Sequence, residues 1–276
     1  MNTGFKDLDE VLEIKKGDLM VVASRPAMGK STFALNILSH MALKEKKSVL
    51  LFSLENSKEN IINKLIISNS MVEAEKFDRY NQYKKEESEK PELLEDDWDR
   101  IAYGINLLKD APIYIASDAP YTIEDICIKS SELKKEKDIG IIIIDYLQLI
   151  QFNKKKRLSR DNELTEILRK LKVLAKILDI PVIITSQLSG ECEKRDDKRP
   201  RIDDFSNSKV GITRYSDKIL FLYRDSYYNK DNKSDITELI IAKSNHGDTN
   251  TIKIAWLPEY CMFGNAVVFE EEEDGE

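Results

Sequence analysis

The chain has 276 residues, of which 34% are charged and 41% hydrophobic, and its net charge is −7. That length suits one α/β domain with a sizeable core, and the hydrophobic share excludes wholesale disorder, collagen and low-complexity fibres. The tail Glu270–Glu276 holds six of the acids, so the body is nearly neutral and nucleic-acid binding, which needs only a local basic surface, stays open.

Taken in chain order, short β-branched runs alternate with helical patterns. Leu19–Ala23 predicts a strand, followed by a glycine-lysine loop and a helix from Lys30 to Leu43. Ser48–Ser53 predicts a second strand and Lys58–Ser68 a helix. Asn81–Asp97, with the run KKEESEK and Pro91, predicts a mobile surface insertion. Trp98–Leu108 returns to helical spacing, Ile113–Ala116 predicts a strand, and Ile123–Lys137 a helix. Ile139–Ile144 predicts a buried strand ending in Asp145. A basic loop, Asn153–Arg160, leads into the helix Asp161–Leu178, whose apolar face carries Leu164, Ile167, Leu168, Leu171, Leu174, Ala175 and Leu178. Pro181–Ser186 predicts another buried strand, and Ile219–Tyr223, Leu239–Lys243 and Ile252–Trp256 three closing strands. The alternation implies a mainly parallel sheet flanked by helices with an antiparallel C-terminal extension. One domain over residues 1–269 is expected, with 270–276 as an acidic tail.

Cys127, Cys192 and Cys261 are dispersed and only two histidines accompany them, so a zinc site is disfavoured and a reducing, cytoplasmic setting is expected. The start MNTGFKDLDE lacks the pattern of a secretory signal, and the longest apolar runs are strand-sized, so no membrane partner is expected.

Ser24-Arg25-Pro26-Ala27-Met28-Gly29-Lys30-Ser31, with Thr32 following, joins a predicted strand to a predicted helix, which is the context of a Walker A phosphate loop. Gly29 allows close approach of the backbone to phosphate, Lys30 reaches the β- and γ-phosphates, and the Ser31 hydroxyl ligates magnesium. Serine at position 24 replaces the first glycine of the general pattern. Asp145 at the end of GIIIID suits a Walker B carboxylate holding magnesium; alone it is equally a turn aspartate. Glu55, just beyond SVLLFS, suits the orientation of an attacking water, and Gln187, just after PVIIT, suits a γ-phosphate sensor. Each taken alone reads as a loop residue. All four features lie at the C-terminal ends of predicted strands, the edge where open α/β sheets bind ligands.

These residues resemble a family. RPAMGKS, LLFSLEN, IIIIDYLQLI, SQLS and DKRPRIDDF are similar to the C-terminal ATPase domain of replicative DNA helicases of the DnaB type, which has a RecA-like core. The similarity runs from about Thr3 to about Phe263. It implies ATP and Mg2+ as cofactors, 5′→3′ movement on single-stranded DNA, and hexameric rings with ATP at the subunit interfaces. It also implies a primase or loader as replication partner. By resemblance Lys30, Glu55 and Gln187 are catalytic, Ser31 and Asp145 hold the metal, and Lys243 reaches the neighbouring subunit's nucleotide. Lys154, Lys155, Lys156, Arg157 and Arg160 then face a central DNA channel, joined by Lys209 and Arg214.

The chain departs from the family in two strings. The family usually continues its trans lysine as KQRNG; here the string is Lys243-Ser244-Asn245-His246-Gly247, with Asn245 at the finger arginine's position. A trans arginine is worth about 10³–10⁵ in rate, which leaves Lys243, Arg214 or Arg224 as candidates to compensate, the last also near the nucleotide. The DNA loop usually reads close to LRESG and is here Phe205-Ser206-Asn207-Ser208-Lys209. The family's helical N-terminal domain helps build the ring, so the resemblance leaves open whether this chain alone is a hexamer or a monomer. The alternative from another class is a nucleotide-binding assembly or regulatory module with weak or no ATPase activity. A strand-exchange protein is disfavoured by IDYLQL and DKRPRIDDF.

Overall fold

The computed structural model describes residues 1–86 (81–86 by backbone alone), 93–118, 120–152, 158–206, 208–229, 231–245 and 249–266. The elements are α1 Lys6–Val11, β1 Leu19–Ser24, α2 Lys30–Leu43, β2 Val49–Ser53, α3 Lys58–Ser70, α4 Ala74–Glu86, α5 Glu95–Lys109, β3 Ile113–Ala116 and α6 Ile123–Lys137. They continue as β4 Ile141–Asp145, α7 Arg160–Leu178, β5 Val182–Gln187, α8 Lys209–Tyr215, β6 Lys218–Tyr223, α9 Asp225–Tyr228, β7 Ile236–Ser244, β8 Thr251–Leu257 and β9 Met262–Asn265.

The strands form a nine-stranded sheet in the order β3-β2-β4-β5-β1-β6-β7-β8-β9. β3 to β6 in that order are parallel, and β7, β8 and β9 close the sheet antiparallel. This is the mainly parallel, helix-flanked architecture that the alternation implied. Ile219–Tyr223, grouped with the closing strands in the sequence, is instead the last parallel strand: Met20 faces Lys218 and Ala23 faces Phe221 in parallel register. The antiparallel extension therefore starts at β7, and it gains β9, which is too short to show a period. Residues 81–86 complete α4 and Glu95–Asp97 open α5, so both ends of the expected insertion are helical. Residues 87–92 of it, and the acidic tail, lie outside the described residues.

The continuous apolar strands follow from burial on both faces. Successive side chains point to opposite sides. Met20, Val22, Leu51, Ile141 and Ile143 join Phe33, Ile37 and Leu38 of α2 in one core, whereas Val21, Phe52, Ile142 and Ile144 join Leu164, Leu168 and Leu171 of α7 in the other. α7 begins at Ser159, whose hydroxyl accepts from the Asn162 N–H at 3.4 Å. It ends at Asp179 in the left-handed region. Gly211 of α8 is required for packing: a Cβ there would lie 2.8 Å from Thr165 Cα of α7.

Registry levels the parallel strands. Ser53 faces Asp145 and Ser24 faces Gln187, so Ser24, Ser53, Asp145, Gln187 and Tyr223 all end on one edge of the sheet. No helix among the described residues is long and apolar enough to cross a membrane.

Candidate nucleotide site

The loop between β1 and α2 turns on two residues with positive φ, Ala27 at 62° and Gly29 at 94°. Gly29 caps α2, so the free amides of the first helical turn open toward the loop. Met28 is buried beneath it while Pro26 and Ala27 are exposed, and Lys30, Ser31 and Thr32 are half-buried. A Cβ on Gly29 would meet Phe263 Cζ at 2.7 Å and Trp256 Cζ3 at 3.3 Å. The C-terminal strands thus brace the loop, and Phe263 N–H donates to Asn36 Oδ1 of α2 at 2.7 Å. Gly29→Ala is expected to cost about 1–2 kcal/mol through the left-handed backbone alone, with the aromatic clash added. A thermal melt combined with titration of an ATP analogue should show both a lower Tm and weaker binding.

Lys30 Nζ lies 4.9 Å from the centroid of the Tyr146 ring. Tyr146 follows Asp145, and the peptide between them is cis. Burial raises the Tyr146 phenol above its ordinary pKa, and the charges of Glu55 and Asp145 add to this. Tyr146 therefore stands among the three charged residues that the sequence singled out. Nothing in its spacing marked it in advance.

Asp145 is 3% exposed, and its carboxylate accepts from the Thr185 hydroxyl of β5. Glu55 sits in an exposed turn held twice: Ser53 Oγ donates to Asn56 O at 2.7 Å, and Leu54 N–H donates to Asp145 O at 2.8 Å. That second bond ties the glutamate's turn to the aspartate's strand. One hydroxyl and one carboxylate, Ser31 and Asp145, suit magnesium, which usually keeps water and phosphate as its other ligands.

Gln187 ends β5 opposite Ser24. Its backbone is clasped by Gln148, from the turn after β4: Gln187 N–H donates to Gln148 Oε1 at 3.2 Å, and Gln148 Nε2 donates to Gln187 O at 3.1 Å and Ser186 Oγ at 3.0 Å. On its other side Leu188 N–H donates to Ser24 O at 3.0 Å.

Arg25, part of the expected nucleotide loop, has its donors engaged within the chain. Its Nε and one terminal nitrogen donate to the Glu193 carboxylate at 2.9 and 3.2 Å, and the other terminal nitrogen donates to Leu188 O at 2.8 Å. The hydrogen bond from Arg25 holds the Glu193 carboxyl below its usual range. Arg25 thus ties the loop to the segment after β5. Arg224, just past β6, stacks over the Trp256 ring at 4.9 Å. Burial pushes its guanidinium pKa down, and its Nε is buried without a partner. With Ser226, Tyr227, Asp235, Trp256 and Pro258 it lines a cleft of about 730 Å³. Trp256 and Phe263, 4.5 Å apart between centroids, connect that cleft to Gly29.

Lys243 stands apart from all of these. It faces Ile219 near the start of β6, on the opposite edge of the sheet from its own Lys30. Its ammonium donates to Thr213 O at 2.9 Å and Ser216 O at 2.6 Å, so it bonds the end of α8 rather than projecting free. Burial lowers its pKa against the opposing pull of Asp217. Asn245 donates to Asp217 Oδ1 at 3.0 Å.

Of the expected DNA contacts, Lys154, Lys155, Lys156 and Arg157 lie outside the described residues. Lys209 pairs with Asp203, and Arg214 is exposed beside the Tyr215 ring. Arg160, expected among the DNA contacts, donates within the chain to Glu163 at 2.8 Å, Gln148 O at 2.9 Å and Ile150 O at 3.3 Å. These acceptors hold its half-buried guanidinium against the protein.

Known proteins are similar to this chain in sequence and in fold. The family model described as the DnaB-like helicase C terminal domain matches residues 1–265. The replicative DNA helicase DnaB of Geobacillus stearothermophilus is 38% identical over 265 residues, which are 95% of this chain and 56% of that protein. The replicative DNA helicase DnaC of Bacillus subtilis (strain 168) is 37% identical over the same shares of the two chains. The chain thus spans about half the length of the curated relatives it matches. Among solved structures, one described as an ATPase domain superposes with a TM-score of 0.86 at 35% identity, over 96% of this chain and 91% of that one. A DnaB-like replicative helicase studied for its interactions with primase gives 0.86 at 34% identity, over 96% of this chain and 62% of that one. The family model and the relatives agree over nearly the whole chain: this chain belongs to the DnaB-like helicase C terminal domain family.

Proposed function

We propose that the chain is the ATPase motor of a replicative DNA helicase, coupling ATP hydrolysis to 5′→3′ movement on single-stranded DNA and duplex unwinding. The observation that carries this reading is the convergence of Lys30, Glu55, Asp145 and Gln187 on one sheet edge, beside a helix N-terminus, in a chain of this family.

The phosphates of ATP would lie on the amides of the first turn of α2, with Lys30 offsetting the charge of the β- and γ-phosphates. Ser31 and Asp145 would hold magnesium, which supplies charge neutralisation at the phosphates. Glu55 orients water for in-line attack and accepts its proton, and Gln187 contacts the γ-phosphate. The base would enter the Arg224–Trp256 cleft. Placement of Lys243 on the opposite edge suits a ring, where that edge of one subunit meets the nucleotide edge of the next. Reaching the neighbour's nucleotide requires the ammonium to leave the Thr213 and Ser216 carbonyls. Lys209, Arg214 and the basic run 154–157 are the proposed DNA contacts, gripping backbone rather than reading bases. By likeness to the relatives, a primase is the natural replication partner.

ATP hydrolysis measured at high protein concentration, with and without single-stranded DNA, tests the reading. DNA-stimulated turnover is expected, reduced about 10²–10³-fold in Lys30→Ala, on the scale of removing one preorganised charge-stabilising donor. The second reading, a nucleotide-binding regulatory module, is favoured by one observation: Asn245, at the finger position, is bonded to Asp217 within its own subunit. Nucleotide binding with negligible turnover under all conditions would establish it.

A further inference from the structure

Gln148 and Arg160 link the candidate γ-phosphate contact to the element that follows the basic segment. Gln148 clasps the Gln187 peptide through both its donor and its acceptor, as a neighbouring strand would, and adds a bond to Ser186 Oγ. The carbonyl of Gln148 is itself held by the Arg160 guanidinium, which also takes the Ile150 carbonyl. Arg160 is the first residue of α7 and is fixed to its own helix by Glu163. These bonds form an unbroken path from the backbone beside the phosphate loop, through the turn after β4, to the first turn of α7. Residues 38–39 positions apart in sequence are joined by its central bonds. Arg and amide groups with several donors in fixed geometry transmit displacement well, because a shift of one partner must move or break several bonds at once.

We infer that Gln148 and Arg160 are positioning residues that couple nucleotide occupancy at Gln187 to the first turn of α7, and that Arg160 is not a DNA contact. The inference rests on the ATPase motor reading given above. Neither residue touches nucleotide; each acts through the Gln187 backbone. Movement of Gln187 on engaging the γ-phosphate would be carried to Arg160. Without the path, the nucleotide site would still bind and hydrolyse, but DNA would no longer accelerate it.

The test uses the full chain with Gln148→Ala, Arg160→Ala, the double variant and Arg160→Lys. Turnover is read against single-stranded DNA concentration. DNA affinity is read against salt in the presence of a non-hydrolysable ATP analogue. Hydrogen exchange of segments 182–187 and 160–165 is read with and without that analogue and magnesium. Each single alanine variant is expected to lower DNA-stimulated kcat about tenfold or more, on the scale of a misplaced site, with KM for ATP within about twofold. The double variant should lose no more than the worse single one, because both residues lie on one path. Analogue-induced exchange changes should reach 160–165 in the wild type and stop at 182–187 in Arg160→Ala, with Arg160→Lys restoring part of the transfer.

A salt slope that falls by about one in Arg160→Ala, or losses that add in the double variant, would overturn the inference and return Arg160 to the DNA contacts. Variants that match the wild type in stimulation and exchange would overturn it as well. A wild type whose 182–187 segment ignores the analogue would overturn the nucleotide reading itself, and the inference with it.

Discussion

Glu55→Gln is expected to lower ATP turnover by about 10²–10⁴-fold, the usual contribution of a positioned general base, while leaving nucleotide affinity within a few-fold of the wild type. The turn that presents Glu55 is held by backbone and serine bonds, Ser53 Oγ to Asn56 O and Leu54 N–H to Asp145 O, and not by the glutamate's own carboxylate. Glu55 is exposed. An amide of the same shape therefore keeps the turn and removes only the charge and the proton acceptor. Binding should survive because the proposed phosphate contacts are the amides of α2 and Lys30, and Glu55 is not one of them. Single-turnover hydrolysis alongside titration of a fluorescent ATP analogue separates the two quantities. A loss smaller than about tenfold would mean that another group takes the water's proton, and Glu55 would return to being a loop residue.

The strands and helices were legible because burial on both faces forces near-continuous β-branched runs, whereas helices bury one stripe. Ile141–Asp145 and the α7 face Leu164–Ala175 follow this directly. The elements that escaped were those whose partners decide them. β6 has the same apolar run whether its neighbour is parallel or antiparallel, and only its pairing to β1 decides. α4 is hydrophilic enough to read as an insertion, and β9 has only four residues.

The candidate site was legible where chemistry demands a local string. Gly29, Lys30 and Ser31 fall within three positions at the expected turn into α2, and Asp145 and Gln187 lie at the strand ends that the sequence indicated. What stayed hidden depends on distant partners. Arg25 sits in the phosphate loop, yet its donors go to Glu193 and Leu188, more than 160 positions away. Arg160 closes a basic string, yet its guanidinium turns inward to two carbonyls and Glu163. Gln148 and Tyr146 lie inside IDYLQL, and no periodicity separates their roles from those of their apolar neighbours. A charged residue's type was visible in sequence; where its hydrogen bonds go was not.

The edge opposite the nucleotide site carries the largest expected effect on stability. Lys218 opens β6 and is 1% exposed, with its ammonium paired to Asp18 just before β1. Asp18 also accepts the Lys15 N–H at 2.7 Å, and its carbonyl accepts the Val182 N–H at 2.8 Å. Beside it Asp217 accepts Leu19 N–H at 2.7 Å, Lys172 and Asn245, while Lys172 reaches Gly17 O at 2.7 Å. Two carboxylates thus fasten β1, β6, α7 and the end of β7 together. Asp18→Ala leaves a buried ammonium without its partner and should cost about 3–5 kcal/mol, a large part of the ~5–15 kcal/mol that typically holds a domain folded. Lys218→Met removes the charge along with the need for a partner, so the double variant Asp18→Ala/Lys218→Met should recover much of that loss. Urea denaturation of the three variants reads the difference. A single-variant cost below about 1 kcal/mol, or a double variant no more stable than Asp18→Ala, would show that water reaches the ammonium. In that case the placement of Lys243 and Asn245 on this edge would depend on α8 and Asp217 rather than on the buried pair.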